Sequence, residues 1–179
     1  MKKITITILL ALMISGAGAF AQKSGYSGGY GHTLNIGLGV GGYYGYYNHA
    51  GRSLPVININ YEFDVARNFT LAPFVSIYTY RNDHDHYRES ILPIGVKGTY
   101  YLDQAFNAGS AWDFYIAGSL GFAIRSATWD DGYYGETYYS GVSPLILDLH
   151  LGTEYHLSSK VGIFLDLSTG VSTLGLAFH

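Results

Sequence analysis

The strongest constraint on this chain is a two-residue alternation of apolar and polar side chains in its last third. From residue 145 to residue 155 every second residue is leucine, threonine or tyrosine, and the residues between them include Asp148, His150 and Glu154. Successive side chains of a β-strand point to opposite faces, so this pattern predicts a strand with one apolar and one polar face. The alternation resumes over 161–168 and 174–178. Three consecutive antiparallel strands are therefore predicted, and a last strand without a tail favours a sheet that closes on itself.

The same alternation recurs five times upstream. It predicts further strands at about 34–41, 57–64, 69–80, 92–102 and 114–125. Pro73 and Pro93 fall inside the third and fourth of these strands, and because proline has no backbone donor for the ladder we expect a local bulge at each. The predicted fold is all-β, an eight-stranded antiparallel up-and-down barrel.

The N-terminus has the three parts of a secretory signal. Lys2 and Lys3 form a basic start, residues 4–14 are apolar, and Ala19-Phe20-Ala21 matches a cleavage site. The apolar run is too short to cross a bilayer as a helix. We expect residues 1–21 to be a signal peptide, 22–31 a flexible segment, and 32–179 the barrel.

The composition is poor in charge and rich in glycine and tyrosine. Charged residues make up 13% of the chain, with 24 glycines and 18 tyrosines, whereas about 25% of an average soluble domain is charged. The absence of cysteine excludes disulfides and thiolate chemistry. No basic run is present, so nucleic acid is not an expected partner, and no cofactor is expected.

Alternation alone does not say which face points inward. A soluble lipocalin-like barrel, a periplasmic binder of an apolar ligand, would place the apolar set inside, and a transmembrane barrel would place it outside. Eight strands enclose a space just wide enough for side chains to fill, and the polar set contains charges of both signs that can neutralise one another. This favours the transmembrane barrel.

The connections and aromatic residues favour the same answer. The connections after the first, third and fifth predicted strands are long, including 81–90 and 126–143, and those after the second and sixth are tight. Short periplasmic turns and long extracellular loops are typical of outer-membrane barrels, although the connections after the fourth and seventh strands depart from this rule. Tyrosine and tryptophan near strand ends suit interfacial aromatic girdles.

The signal sequence, the eight alternating strands and the closing Leu174-Gly175-Leu176-Ala177-Phe178 resemble small bacterial outer-membrane barrels of the OmpA/OmpX type. The Tyr/Gly-rich style is similar to the outer membrane protein beta-barrel domain proteins of Bacteroidota. The resemblance implies a bacterial outer-membrane location, contact with outer-membrane lipid and insertion by the outer-membrane assembly machinery. Such proteins usually end on an aromatic residue, whereas here Phe178 is penultimate and His179 is last.

A polar network is predicted for the interior of the barrel. Its members are the charged and imidazole side chains of the inward set, Glu62, Lys97, Asp148, His150, Glu154 and Asp166. We expect them to fill the lumen as paired groups that fix strand register. A proton or ion path is the alternative function of the same residues.

The predicted surface loops are rich in tyrosine and glycine, a composition that makes adaptable contact surfaces. The candidate contact residues are Tyr46, Tyr47, Tyr133, Tyr134, Tyr138 and Tyr139. They are expected either to bind an extracellular protein or glycan, or to extend the aromatic rim of the barrel. Histidines His84 and His86 in another loop are weak candidates for metal ligands, and a polar loop tip is the simpler interpretation.

A catalytic alternative rests on His156 and Ser158. Lipid A deacylases are eight-stranded barrels with a His-x-Ser pair, and Tyr155-His156-Leu157-Ser158 resembles their motif in that spacing. These residues fall at a predicted periplasmic turn, without a carboxylate clearly placed to orient the histidine. The sequence therefore favours an outer-membrane barrel with a structural or adhesion-like surface role and no catalysis, with a lipid-modifying enzyme as the alternative.

Overall fold

The computed structural model describes residues 29–41, 56–82, 87–103, 111–130, 132 and 144–179. They form eight strands: β1 (Thr33–Gly41), β2 (Val56–Ala66), β3 (Phe69–Asn82), β4 (Tyr87–Tyr101), β5 (Trp112–Trp129), β6 (Leu145–His156), β7 (Val161–Ser168) and β8 (Val171–Phe178). Each strand pairs antiparallel with the next, and β8 pairs with β1 to close the barrel. The predicted fold class is confirmed. Within the described residues no helix is long and apolar enough to cross a membrane.

The apolar set faces outward and the polar set faces inward. Leu147 on β6 is 75% exposed, whereas its neighbour Asp148 is 5% exposed. Lys97 on β4 is buried and the adjacent Val96 is exposed. A lipocalin-like barrel needs the opposite orientation, with the apolar set inside, so that alternative is wrong for this chain.

The two ends of the barrel differ. We call the end with the Arg67–Asn68 and 157–160 connections the turn end, and the opposite end the loop end. Asn68 adopts a left-handed φ of 60°, a conformation that asparagine tolerates better than most residues and that suits a two-residue turn. At the loop end, buried Val56 and Ile91 place an apolar layer in the interior.

Two predicted loops are shorter than the sequence suggested. Strand β3 continues to Asn82 and β4 begins at Tyr87, with Arg81 opposite Arg88, so the predicted loop 81–90 is a connection of residues 83–86. Strand β5 likewise runs to Trp129, inside the predicted loop 126–143. Backbone pairing needs no apolar face, and residues 81–90 carry polar side chains in both phases, so these strand ends lack the alternation that identifies a strand in the sequence.

The bulges predicted at Pro73 and Pro93 are absent. The β2–β3 register is the same before and after Pro73, and the β3–β4 register is the same on both sides of Pro93. Ladder pairing is interrupted opposite each proline, at Tyr61 and Glu62 on β2 and at Ser76 and Ile77 on β3. A missing donor is therefore tolerated without an inserted residue, and the register shift of β2–β3 lies instead between Asp64 and Ala66.

Candidate functional site: the polar interior of the barrel

Three charged side chains form the centre of the interior, and we call them the central cluster: Glu62, Lys97 and Asp166. The Lys97 ammonium lies 3.7 Å from Glu62 Oε1 and 3.4 Å from Asp166 Oδ2. All three side chains are less than 10% exposed. Strands β2, β4 and β7 supply them, so the cluster links parts of the barrel wall that are not neighbours in the sheet.

Neutral donors satisfy the remaining oxygens of the Glu62 carboxylate. Thr70 and Tyr101 donate to Oε2 at 2.7 and 2.8 Å, and Asn35 Nδ2 donates to Oε1 at 3.0 Å. A buried carboxylate is tolerated when its oxygens are hydrogen-bonded and an opposite charge is near. These contacts tie β1, β3 and β4 to the same side chain.

Tyr115 connects Asp166 to Lys97. Its hydroxyl donates to Asp166 Oδ2 at 3.1 Å, and the Lys97 ammonium lies 5.3 Å from the ring centroid, within the range of a cation–π contact. The ring lies directly over Gly152 on β6, where any Cβ would overlap the ring atoms. The glycine therefore provides the space that Tyr115 occupies.

Ser119, His150 and Asp166 have the connectivity of a catalytic triad. His150 Nδ1 lies 2.7 Å from Asp166 Oδ1, and His150 Nε2 lies 3.0 Å from Ser119 Oγ. In serine hydrolases this arrangement lets the histidine accept the serine proton while the carboxylate orients the ring. Here Asp166 is shared with Lys97 and Tyr115, and Ser119 is 4% exposed.

A small cavity lies beside these residues. Its volume is about 30 Å³, and its lining includes Ser119, His150, Asn60 and Phe164. One or two water molecules fill such a volume. The space is far smaller than an acyl chain, so the cavity as it stands admits water or a small ion rather than a lipid substrate.

A second group of titratable side chains lies at the turn end, and we call it the turn-end cluster: Asp113, Glu154, His156 and His179. His156 Nε2 is 2.7 Å from Asp113 Oδ2, and His179 Nε2 is 2.7 Å from Glu154 Oε1. The two imidazole rings lie 5.0 Å apart, centroid to centroid. Three of these residues, Glu154, His156 and His179, have a donor atom close enough to the others to share one metal ion.

Tyr30 covers the turn end of the interior. Its ring stacks on Tyr101, with a centroid distance of 3.9 Å and an interplanar angle of 5°. Asp64 Oδ1 accepts the backbone N–H groups of Tyr30 and Gly31, so residues 29–31, the end of the segment predicted to be flexible, are held against β2. Burial, together with the nearby Asp103 carboxylate, raises the pKa of Tyr30 well above its usual value.

The six residues predicted for the polar network all lie in the interior, in three places. Glu62, Lys97 and Asp166 form the central cluster with His150 beside it, and Glu154 belongs to the turn-end cluster. Asp148 lies toward the loop end, where Thr169 donates to its Oδ1 at 3.2 Å. The carboxylate lies over Gly170, which has no Cβ to obstruct it.

Three other predicted sites have different outcomes. His156 and Ser158 do not contact each other in hydrogen bonds: His156 pairs with Asp113, and Ser158 Oγ accepts the backbone N–H groups of Lys160 and Val161. Ser158 thus stabilises a turn. The loop tyrosines Tyr46, Tyr47, Tyr133, Tyr134, Tyr138 and Tyr139, and the candidate metal ligands His84 and His86, lie outside the described residues.

Sequence reasoning missed several partners of the central cluster and two members of the turn-end cluster. Ser119, Tyr101 and Tyr115 belong to the inward phase of their strands, so the alternation places them in the interior but does not show which partners they meet. Asp113 was assigned to a connection, yet it lies in β5. His179 continues the inward phase of β8 through Ala177 and, since its backbone N–H donates to Lys160, it extends the pairing of that strand.

The comparisons with known proteins give similarity of fold without a family. No protein family model matches the chain, and no curated protein matches it. A de novo designed transmembrane β-barrel aligns with 10% identity over 84% of this chain and 97% of its own, with a TM-score of 0.49. The outer membrane protein Ail of Yersinia pestis, determined in a phospholipid bilayer nanodisc, aligns with 10% identity over 82% of this chain and 96% of its own, with a TM-score of 0.48.

Proposed function

We propose that this chain is a bacterial outer-membrane β-barrel with a structural or cell-surface interaction role and no catalytic activity. The observation that carries the proposal is the continuous apolar outer surface of a closed barrel. On β6 alone Leu145, Leu147, Leu149 and Leu151 are between 59% and 75% exposed. Soluble monomers rarely expose an apolar surface that continues around the molecule, whereas hydrocarbon favours it and accepts strands only in a closed barrel.

Aromatic side chains at the turn end support the same location. They lie on the outer surface near the ends of five strands: Tyr61, Tyr100, Trp112, Tyr155 and Phe178. Trp112 packs on Tyr155 with ring centroids 4.7 Å apart. A ring of aromatic residues suits a membrane–water interface. Short turns are typical of the periplasmic side, so we assign the turn end to that side and the loop end to the exterior.

The filled interior argues against a wide pore and leaves the loops as the interacting part. The central cluster, Tyr115 and Tyr101 occupy the lumen, and the cavity beside them is about 30 Å³. We propose that the chain inserts through the outer-membrane assembly machinery and that its tyrosine-rich loops contact an extracellular protein or glycan.

Cell fractionation with gel electrophoresis tests the membrane location. We expect the full-length chain in the outer-membrane fraction, with faster mobility in unheated samples than in boiled ones because a closed barrel resists detergent unfolding. A soluble periplasmic protein with a single mobility would contradict the proposal. Replacing the six loop tyrosines named above by serine should then abolish surface binding while the heat-dependent mobility is kept.

A hydrolase is the second candidate, and the Ser119–His150–Asp166 contacts are the observation that favours it. The proposed reaction type is acyl transfer to Ser119 followed by hydrolysis, with His150 as the base and Asp166 as the group that orients it. It requires the lumen to open around the 30 Å³ cavity so that an acyl donor reaches Ser119. A fluorophosphonate probe should label the folded barrel at Ser119 if the serine is activated, and the label should be lost in Ser119→Ala. Absence of labelling in the folded wild type would favour the non-catalytic proposal.

A further inference from the structure

We infer that Glu154, His156 and His179 form a binding site for one divalent transition-metal ion at the turn end of the lumen. Each of the three side chains has a donor atom that lies within 4.8 Å of a donor atom of the other two. Glu154 Oε1 lies 2.7 Å from His179 Nε2 and 3.8 Å from His156 Nδ1. Tetrahedral zinc with bonds near 2.0 Å separates its ligands by about 3.3 Å, a value that these two distances bracket.

The hydrogen bonds of His179 direct an unprotonated nitrogen at the site. The Thr33 hydroxyl donates its single proton to the carbonyl oxygen of Tyr30 at 3.0 Å, so it accepts a hydrogen bond from His179 Nδ1, also at 3.0 Å. With the ring proton on Nδ1, the neutral imidazole presents the lone pair of Nε2 to the Glu154 carboxylate. Either a proton or a metal cation must lie between this nitrogen and the carboxylate 2.7 Å away, and a bound metal ion takes the place of that proton.

Asp113 does the same for His156. Asp113 Oδ2 lies 2.7 Å from His156 Nε2 and accepts the proton of that nitrogen. The other ring nitrogen, Nδ1, is then unprotonated and lies on the side of Glu154. A carboxylate behind a metal-binding histidine is the common outer partner in zinc proteins, because it fixes the tautomer and the ring orientation. Both histidines therefore have an oriented ring and a lone pair that faces the same carboxylate.

Glu154 is fixed by the barrel wall. Its side chain is 7% exposed and lies over Gly162 on β7, where a Cβ would overlap the carboxylate. The two histidines are 23% exposed, so an ion can enter from the turn end while the acidic ligand stays buried. Two imidazoles and one carboxylate with a free fourth position for water is a zinc ligand set, and Cu²⁺ and Ni²⁺ suit the same donors.

Zinc titration of the purified full-length barrel in detergent, after treatment with a chelator, tests the site. Isothermal calorimetry should report one Zn²⁺ per chain, and Zn²⁺ should raise the melting temperature of the wild type. Co²⁺ should give the visible d–d bands of a tetrahedral complex. Asp113→Asn should weaken Zn²⁺ binding by about 10–100-fold, and His156→Gln or His179→Gln by more.

Matched controls separate this site from other histidines. His32→Gln removes another histidine near the turn end, whose Nδ1 lies 3.3 Å from the Tyr61 hydroxyl, and the double variant His84→Gln/His86→Gln removes the loop candidates; both should bind Zn²⁺ as the wild type does. Loss of binding in the loop variant, or unchanged binding in His156→Gln and His179→Gln, would overturn the inference.

If the histidine variants fail to fold, the variant Gly162→Ala still tests the site. Gly162→Ala keeps every ligand and displaces only the Glu154 carboxylate, which is the flexible end of a side chain. The heat-dependent gel mobility identifies folded protein in each sample. A folded Gly162→Ala barrel with wild-type zinc affinity would overturn the assignment of Glu154 as a ligand, and weakened affinity would support it.

Discussion

At the scale of single residues, Lys97 supplies the positive charge that neutralises the two buried carboxylates of the central cluster. Its ammonium lies between two buried carboxylates, and each carboxylate has further hydrogen bonds that hold it in place. Removal of one partner from a buried ion pair is costly because the other charge remains without compensation. The geometry therefore makes the lysine, rather than either acid, the member whose loss matters most.

Lys97→Met is expected to lower the free energy of unfolding by about 3–5 kcal/mol, because Glu62 and Asp166 would remain as uncompensated buried carboxylates. Urea unfolding in detergent or lipid vesicles, followed by tryptophan fluorescence, measures the loss. The double variant Lys97→Met/Glu62→Gln should recover part of it. An unchanged midpoint for Lys97→Met would show that the three groups are not paired.

Gly152 and Gly118 make a matched pair of glycines with opposite expectations. A Cβ at Gly152 would overlap the Tyr115 ring, and the hydrogen bond from the Tyr115 hydroxyl to Asp166 keeps that ring in place. A Cβ at Gly118 would meet no atom nearer than 3.9 Å. Gly152→Ala should destabilise the barrel by about 1–3 kcal/mol through overpacking. Gly118→Ala should be neutral or stabilising, by up to about 1 kcal/mol. Equal unfolding midpoints for the two variants would contradict the packing described for Tyr115.

At the scale of strands, alternation predicts all eight elements and the inward face of the six network residues, but it misses the buried Glu89. It fails where the strands extend past the band of exposed apolar side chains, the apolar belt, as at Arg81 and Trp129, since backbone pairing there continues without an apolar face. The two prolines also mislead, because a closed sheet tolerates a missing donor without a bulge. Partners across the lumen, such as Ser119 and His150, depend on strand tilt and stagger around the whole barrel, which the sequence does not state.

The variants Leu149→Arg and Leu157→Arg test whether hydrocarbon surrounds the exposed apolar side chains of the barrel. Each introduces one arginine, the first within β6 and the second in the turn that follows it. Leu149 is 69% exposed within β6, and Leu157 is 56% exposed in the following turn. If hydrocarbon surrounds β6, arginine at 149 should cost about 2–4 kcal/mol near the middle of the belt and much less at the turn. Folding into lipid vesicles measures both. Equal small effects, as expected of exposed positions in water, would argue against a membrane.

At the scale of the whole molecule, the seam between β1 and β8 decides whether the sheet is closed. Ile36 lies opposite Leu176, and both side chains are exposed on the outer face. The chain has no cysteine, so introduced cysteines have no competing partners. Directly opposed residues on antiparallel strands lie within the Cα range that a disulfide needs, whereas diagonal pairs fall at or beyond its limit.

The variant Ile36→Cys/Leu176→Cys should therefore form an internal disulfide in folded protein, seen as altered mobility on a non-reducing gel. Ile36→Cys/Leu174→Cys is shifted by two residues and should cross-link poorly. Cross-linking that is equally efficient in both variants, or stronger in the second, would show that the seam has another register.

The seam also sets the order in which the barrel can assemble. All seven other strand pairs join strands that are consecutive in the chain, but the contact of Thr33 with His179 spans 146 residues. Such a contact requires the largest loss of chain entropy, so closure of the barrel follows the formation of β8. Until then β1 and β8 present unpaired edges that can recruit a foreign strand, and closure of the seam removes both edges at once.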